Sequence, residues 1–125
     1  MHINHGCLVC LGSNCQAEFH LKNVERELNR LFHMVRMGKI VITKAEGDVV
    51  QPDYMNQAVS FSTDLPVEEV EILLKQIEKD NGRTADDKLK GTVPLDIDLL
   101  KYDEVVLRPG DLKKDYVKQA IAELL

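Results

Sequence analysis

The sequence contains no tryptophan, and aromatic residues make up only 5% of its 125 residues. Its apolar runs are far shorter than the roughly 20 residues that a membrane-spanning helix needs. The formal net charge is −5, whereas proteins that bind duplex nucleic acid normally carry a basic face. An RNA-binding module would need exposed aromatic side chains on which bases stack. We therefore expect neither a membrane protein nor a nucleic-acid-binding protein.

Cysteine is also scarce. The chain has three cysteines, an odd number without the spacing of a disulfide framework, which favours a reducing compartment. The start, MHINHGCLVC, lacks the basic region and the long apolar core of a signal peptide, so we expect a cytoplasmic location. Cys7 and Cys10 form a C-x-x-C pattern, but residues three apart on a strand face opposite sides. Two buried structural thiols are therefore favoured over a zinc or redox motif.

The length of the chain predicts a single domain over residues 1–125. Residues 7–11 form a continuous apolar run that is typical of a buried strand, and a second strand is predicted at 37–43. Asn14 is predicted to cap the helix between them. The apolar face of that helix, at helical spacing, is formed by Phe19, Leu21, Val24, Leu28, Leu31 and Phe32.

The second half of the chain predicts a strand, a helix and a further strand. Residues alternate between apolar and polar from Tyr54 onward, as in a strand with one buried face. A helix begins near Pro66 and ends at Gly82, which is suited to a C-terminal cap. Residues 83–93 are polar and show no period, which predicts a mobile loop. The apolar residues of the stretch LDIDL, at 95–99, then predict a buried strand.

The predicted elements follow the order β-α-β-β-α-β, and a short strand at 104–107 and a last helix capped by Asp111 come after them. This order is typical of an α+β, ferredoxin-like fold, in which helices pack on one face of an antiparallel sheet. We expect the other face of the sheet to be free to carry a site.

Two aspartates stand out within the last long strand. Asp96 and Asp98 alternate with Leu95, Ile97 and Leu99, so both carboxylates lie on one face of the sheet, with Cβ atoms about 6.5–7 Å apart. That spacing allows them to share a divalent cation, or to hold two cations that bridge to a polyphosphate. The alternative is a pair of solvated acids on an uncovered sheet face.

Four short stretches, taken together, are informative about the family of the chain. They are LGSN at 11–14, QPDYMNQAV at 51–59, IEKDNGR at 77–83 and LDID at 95–98. In this combination the chain resembles the 6-hydroxymethyl-7,8-dihydropterin pyrophosphokinase family. The resemblance implies an enzyme of folate biosynthesis that transfers the terminal diphosphate of ATP to the hydroxymethyl group of the pterin and leaves AMP. ATP and a hydroxymethyl dihydropterin would be its substrates.

The resemblance also implies roles for individual residues. Asp96 and Asp98 match the carboxylates that hold two Mg²⁺ ions, and Arg83 completes the catalytic set. The implied pterin-binding residues are Thr43, Tyr54, Asn56 and Tyr116. The implied ATP-binding residues are Gln76, Glu78 and Arg83. Lys88 and Lys90 are predicted to bind ATP as well, because the loop that carries them leads directly into the aspartate strand.

The chain departs from the family pattern just before the aspartates. The family has a tryptophan, a Gly-Pro pair and an arginine there, whereas this chain has the sequence KGTV at 90–93. Its C-terminal segment, DYVKQAIAELL, resembles a shortened form of the family's last helix. The departures leave an alternative function, in which the protein is a catalytically impaired relative that binds a pterin or nucleotide, or acts as an interaction module.

Overall fold

A computed structural model describes residues 4–44 and 52–124 of the chain, without the side chain of Lys88. In chain order its elements are β1 (His5–Ser13), α1 (Ala17–Leu31), β2 (His33–Met37), β3 (Val41–Thr43), β4 (Tyr54–Thr63), α2 (Val67–Asp80), α3 (Asp87–Lys90), β5 (Asp96–Tyr102), β6 (Val105–Val106), α4 (Pro109–Leu112) and α5 (Asp115–Ala122). Among the described residues, none of the helices combines the length and the apolar character that crossing a membrane requires.

The strands form one antiparallel sheet in the order β2-β4-β1-β5-β6, with β3 also paired to β4. This arrangement confirms the predicted α+β, ferredoxin-like fold. The single strand that we predicted at 37–43 is wrong in its bounds, because β2 and β3 pair with different parts of β4. The chain turns between them at Gly38, whose N–H donates to Ala58 O over 2.8 Å.

Helices α1 and α2 pack on one face of the sheet and enclose the main core. Buried apolar side chains of both helices, such as Val24 and Leu74, lie in one core with Leu11 of β1, Ile97 of β5 and Leu95, which directly precedes β5. The prediction for α1 was wrong at Phe19, which is 58% exposed, while the neighbouring His20 is buried. His20 is stable there because its Nδ1 lies 2.8 Å from Asn81 Oδ1 at the end of α2, and a hydrogen bond offsets the burial of a polar group.

The opposite face of the sheet is partly covered, which corrects the expectation that it would be free. Val117 and Ala120 of α5 are buried there against Cys10, Ala58 and Leu100. A side chain at Gly38 would place a Cβ only 3.1 Å from Ala58 O and 3.5 Å from Ala120 O, so the glycine allows the backbones to approach closely. The C-terminal helix therefore borders the face that carries Asp96 and Asp98.

Two predicted helix caps are not formed. Asn14 does not cap α1; its side chain instead bonds Gly91 O and the N–H of Val93, 77 and 79 residues away. Asp111 does not cap the last helix, because it lies within α4 and pairs with Arg108 and Lys114. The partners of Asn14 come from a distant part of the chain, whereas those of Asp111 are basic residues three positions before and after it.

The predicted cap at Gly82 is confirmed. Gly82 has φ +90, its N–H donates to Lys79 O over 2.9 Å, and the N–H of Arg83 donates to Glu78 O over 3.0 Å. This pair of bonds is the Schellman pattern at a helix end. It fixes the direction in which the chain leaves α2, and Arg83 is the first residue after the turn.

The segment at 83–93, predicted to be a mobile loop, contains the short helix α3 and a buried acid. Asp87 is only 6% exposed and accepts hydrogen bonds from the N–H and the hydroxyl of Thr84, at 2.7 and 2.6 Å. The hydroxyl of Thr84 is the main cause that holds the pKa of Asp87 below its usual range. The segment is therefore folded around one carboxylate.

The two cysteines of β1 diverge as predicted. Cys7 lies in the core below α1 and α2, whereas Cys10 faces the C-terminal helix on the other side of the sheet. Burial raises the pKa of Cys7 to about 11 and that of Cys10 to about 12. Both thiols therefore stay protonated at neutral pH, which fits a structural role.

Candidate functional site

Asp96 and Asp98 project from β5 on the face away from α1 and α2, as the alternation of the sequence predicted. Leu95, Ile97 and Leu99 are buried in the main core, while the two aspartate side chains keep 30% and 27% of their surface exposed. The strand β1 runs alongside and places Gly12 opposite Asp96. The carboxylates thus form part of a concave surface.

Two cavities meet at these carboxylates. The first has a volume of about 390 Å³, and all four residues predicted to bind a pterin line it: Thr43, Tyr54, Asn56 and Tyr116. The second has a volume of about 370 Å³ and is lined by Lys75, Glu78 and Arg83. Asp96, Asp98 and Arg108 line both cavities. A group bound over the aspartates would therefore be reached from either side.

Asn56 is held in a fixed orientation in the first cavity. Its amide nitrogen donates to Val41 O over 3.1 Å and to Thr43 Oγ1 over 2.9 Å, and the residue is only 4% exposed. Because both amide hydrogens are used, the oxygen Oδ1 is the group that can meet a ligand. Oδ1 lies 3.5 Å from the position that a Cβ on Gly12 would take, so the glycine leaves it accessible.

Two tyrosines give the first cavity aromatic walls. Burial raises the pKa of Tyr54 and, in the same way, the pKa of Tyr116. Both phenols therefore stay neutral at physiological pH. A cavity with neutral aromatic walls and a buried amide acceptor is suited to a flat, polar heterocycle.

In the second cavity, Glu78 and Arg83 fasten α2 to the strand that carries the aspartates. Glu78 Oε2 accepts a hydrogen bond from the N–H of Ile97 over 2.7 Å. Arg83 Nη1 donates to Leu95 O and to Asp96 Oδ1, both over 3.0 Å. Burial raises the pKa of Glu78, against the effect of its bond to Ile97. These two side chains fix the position of β5 relative to α2.

Asp98 has the most perturbed carboxyl group of the site. Its pKa is raised to about 7, chiefly because burial disfavours the charged form and then because the carboxylate of Asp96 lies beside it. Arg108, whose Nε lies 3.7 Å from Asp98 Oδ1, acts in the opposite direction. Two adjacent carboxylates, of which Asp98 has only a long contact with an arginine, are a suitable place for a divalent cation.

The donor set fits a hard cation that shares its remaining ligands with a substrate. Within residues 4–44 and 52–124, no three His, Cys, Asp or Glu side chains are grouped so that they could enclose a metal ion. Mg²⁺ commonly takes one or two carboxylates and completes its coordination with water and phosphate oxygens. Asp96 and Asp98 provide that number of carboxylates.

Some predicted nucleotide-binding residues are not brought to the site. Gln76 is exposed and donates to Asp80 Oδ1 over 2.8 Å. Lys90 is exposed at the end of α3. Neither residue lines either of the two cavities. The side chain of Lys88 lies outside the described part of the structure.

Sequence reasoning missed four basic residues of the site: Lys44, Lys75, Arg108 and Lys114. Lys75 lies one helical turn before Glu78, so the shared helix face was a signal that could have identified it. Arg108 and Lys114 follow the β5–β6 hairpin, in which Lys101 pairs with Val106. Nothing in the local sequence shows that this hairpin returns the chain to the aspartates.

Comparison with known proteins shows similarity to a protein family and to a relative from a plant. The family model described as 7,8-dihydro-6-hydroxymethylpterin-pyrophosphokinase matches residues 8–125. The chain is also similar to a protein of Pisum sativum named "Folate synthesis bifunctional protein, mitochondrial", with 34% identity over 103 residues. These residues are 81% of this chain and 20% of the pea protein, so the chain spans about a fifth of that relative's length. The chain belongs to the 7,8-dihydro-6-hydroxymethylpterin-pyrophosphokinase family.

Proposed function

We propose that the protein transfers the terminal diphosphate of ATP to 6-hydroxymethyl-7,8-dihydropterin and releases AMP, as a step of folate biosynthesis. One observation carries the proposal: two cavities of different character share Asp96 and Asp98. A transfer between two substrates requires that the donor and the acceptor reach one place from two sides. Family membership supports the same reaction.

The first cavity is proposed to bind the pterin. The Oδ1 of Asn56 can accept a hydrogen bond from an N–H on the edge of the ring system, while Tyr54 and Tyr116 contact its flat surface. Because Asn56 is held by Val41 and Thr43, the oxygen is in place before the ligand binds. A ring bound there would have one edge directed towards Asn56 and the other towards the aspartates.

The second cavity is proposed to bind ATP. Three basic residues line it, Lys75, Arg83 and Arg108, together with four carboxyl groups. The basic residues would attract a triphosphate once bound Mg²⁺ offsets the charge of the carboxylates. Glu78 and Arg83 hold the strand β5, so that the two carboxylates keep their spacing when a charged substrate enters. Gln76, Lys88 and Lys90 stay predictions for nucleotide binding.

Asp96 and Asp98 would hold Mg²⁺. When it is bound, the metal would offset the negative charge of the phosphate groups of ATP. The chain itself positions the carboxylates through the sheet and would orient the acceptor ring through Asn56. The role of Mg²⁺ and the cytoplasmic location are predictions; the word "mitochondrial" belongs to the name of the pea relative.

The test is chromatographic measurement of AMP and pterin diphosphate in a mixture of the protein, ATP, Mg²⁺ and the hydroxymethyl dihydropterin. The two products should form in equal amounts. Asp96→Asn and Asp98→Asn should each lower the rate on the order of a hundredfold or more, because the metal ligands are lost. Asp115→Asn, at an exposed position of α5, is the matched control and should keep the rate.

Two results would contradict the proposal. Unchanged product formation in the double variant of Asp96 and Asp98 would exclude them from the reaction. Heat of binding for both ligands in a calorimeter, with no AMP formed, would instead favour the alternative of a relative that binds without transfer.

A further inference from the structure

We propose that Arg108 is a phosphate-binding residue that changes partners: without ligands it pairs with Asp98 and Asp111, and with metal and nucleotide bound it donates to the diphosphate. The inference rests on the proposed function and assigns to it a residue from the C-terminal segment. Arg108 lies after β6 and directly before Pro109, the first residue of α4.

The location of Arg108 is the first argument. Lys44 and Lys114 line the pterin-side cavity, and Lys75 and Arg83 line the nucleotide-side cavity, whereas Arg108 lines both. In the described part of the chain it is the basic residue shared by these two cavities. A diphosphate that moves from one cavity towards the other over the aspartates would therefore pass this guanidinium.

The second argument is the freedom of the side chain. Arg83 is 18% exposed and is fixed by a hydrogen bond to the backbone oxygen of Leu95. Arg108 is 50% exposed, and its ion pairs are to the side chains of Asp98 and Asp111. Exposed ion pairs between side chains are weak and exchange partners readily. Arg108 can therefore move where Arg83 cannot.

The third argument is the way in which Arg108 is held. Both of its ion pairs are made through Nε, so the Nη groups can donate to phosphate oxygens while Nε stays with Asp111. Guanidinium is suited to this, because its donors form a planar fork. Asp111 is also 3.1 Å from Lys114 Nζ, so its charge stays paired when Arg108 turns.

Asp98 links this movement to metal binding. Mg²⁺ and Arg108 are both positive and both use the carboxylate of Asp98, so they compete for it. A cation bound at Asp98 would release the guanidinium at the time when a diphosphate needs a donor. Removal of Arg108 should therefore strengthen the binding of the metal alone and weaken the binding of the metal–nucleotide complex.

The experiment is calorimetric titration of the complete chain with Mg²⁺ alone, and with Mg²⁺ plus a non-hydrolysable ATP analogue. Arg108→Gln should bind Mg²⁺ severalfold more tightly and the analogue about tenfold more weakly, since one charge-assisted contact is lost. Arg108→Lys should lie between, because it keeps the charge without the fork. Lys113→Gln removes the same charge from the same segment at an exposed position that lines neither cavity, and should match the unaltered protein.

The outcomes separate the two proposals. Unaltered analogue affinity in Arg108→Gln, with normal binding by the unaltered protein, would overturn the phosphate-binding role alone. Unaltered Mg²⁺ affinity in the same variant would overturn the exchange at Asp98. Failure of the unaltered protein to bind the analogue would overturn the proposed function, and this inference with it.

Discussion

Asn14 and Val93 exchange two hydrogen bonds across the fold. The N–H of Asn14 donates to Val93 O over 3.0 Å, and the N–H of Val93 donates to Asn14 Oδ1 over 2.6 Å. The side-chain nitrogen of Asn14 also donates to Gly91 O over 2.9 Å. The stretch LGSN at the end of β1 is thereby tied to the residues that lead into LDID.

Replacement of this amide should destabilise the protein. Asn14→Ala leaves the N–H of Val93 and the oxygen of Gly91 without their partner in a buried place, so we expect the free energy of unfolding to fall by about 2–4 kcal/mol. Urea denaturation measures this. Asn29→Ala is the matched control, because Asn29 is exposed on α1 and donates only to Glu25 O. An equally small decrease in the free energy of unfolding for both variants would show that Asn14 does not hold residues 91–93 in place.

Gly82 should be sensitive to any side chain. Its φ of +90 strains an L-residue, although a Cβ would meet nothing within 4 Å, so Gly82→Ala should lower the free energy of unfolding by about 1 kcal/mol through the backbone alone. Gly110→Ala, also in open space but without a positive φ, should have no such effect. Because Arg83 follows Gly82, the variant should also bind nucleotide more weakly. Equal stability of the two variants would contradict this account of the turn.

Gly12 is expected to control access to Asn56. A methyl group at this position fits, at 3.5 Å from Asn56 Oδ1, but it covers the oxygen that we propose as the pterin acceptor. Gly12→Ala should therefore weaken pterin binding about tenfold, the value of one lost hydrogen bond, with little change in melting temperature. Gly6→Ala on the same strand, where a Cβ meets nothing within 4 Å, is the control. Unchanged pterin affinity in Gly12→Ala would argue against this position of the ligand.

The raised pKa of Asp98 predicts how stability depends on pH without metal. The folded protein holds the proton up to about pH 7, whereas an unfolded aspartate releases it near pH 4. The free energy of unfolding should therefore fall as the pH rises between these values. The loss should be on the order of 2 kcal/mol, reduced by solvent screening at a side chain that is 27% exposed.

Asp98→Asn should remove this decline, whereas Asp115→Asn should keep it. Thermal unfolding between pH 4 and pH 8 in the presence of a chelator measures both variants. Saturating Mg²⁺ should restore the stability of the unaltered protein at pH 8, because a bound cation replaces the lost proton. A stability that is independent of pH in the unaltered protein would contradict the burial of this carboxyl group.

The sequence was sufficient for those features that depend on local pattern. Alternation placed Asp96 and Asp98 on one face, and Gly82 marked the end of α2, because strand alternation and the αL cap are properties of neighbouring residues. Features that depend on distant partners were missed. Asn14 was expected to cap a helix but bonds to residues 77 and 79 positions away. Phe19 was expected inside, but His20 takes the buried place through Asn81.

The position of the C-terminal helix also depends on distant partners, and the sequence did not predict it. The helix itself was predicted from periodicity, but periodicity does not specify the side of the sheet on which a helix packs. The contacts of Val117 and Ala120 with Cys10 and Ala58 decide this. They bring Arg108 and Tyr116 to the aspartates, and only Tyr116 was anticipated, from the family resemblance.

The central claim is that two substrates occupy two cavities that meet at Asp96 and Asp98. The most direct measurement is calorimetric titration of the pterin into protein saturated with Mg²⁺ and a non-hydrolysable ATP analogue. We predict that one pterin binds per chain without displacing the analogue, that Lys75→Gln weakens only the analogue, and that Gly12→Ala weakens only the pterin. Displacement of one ligand by the other, or weakening of both ligands by either variant, would contradict the claim.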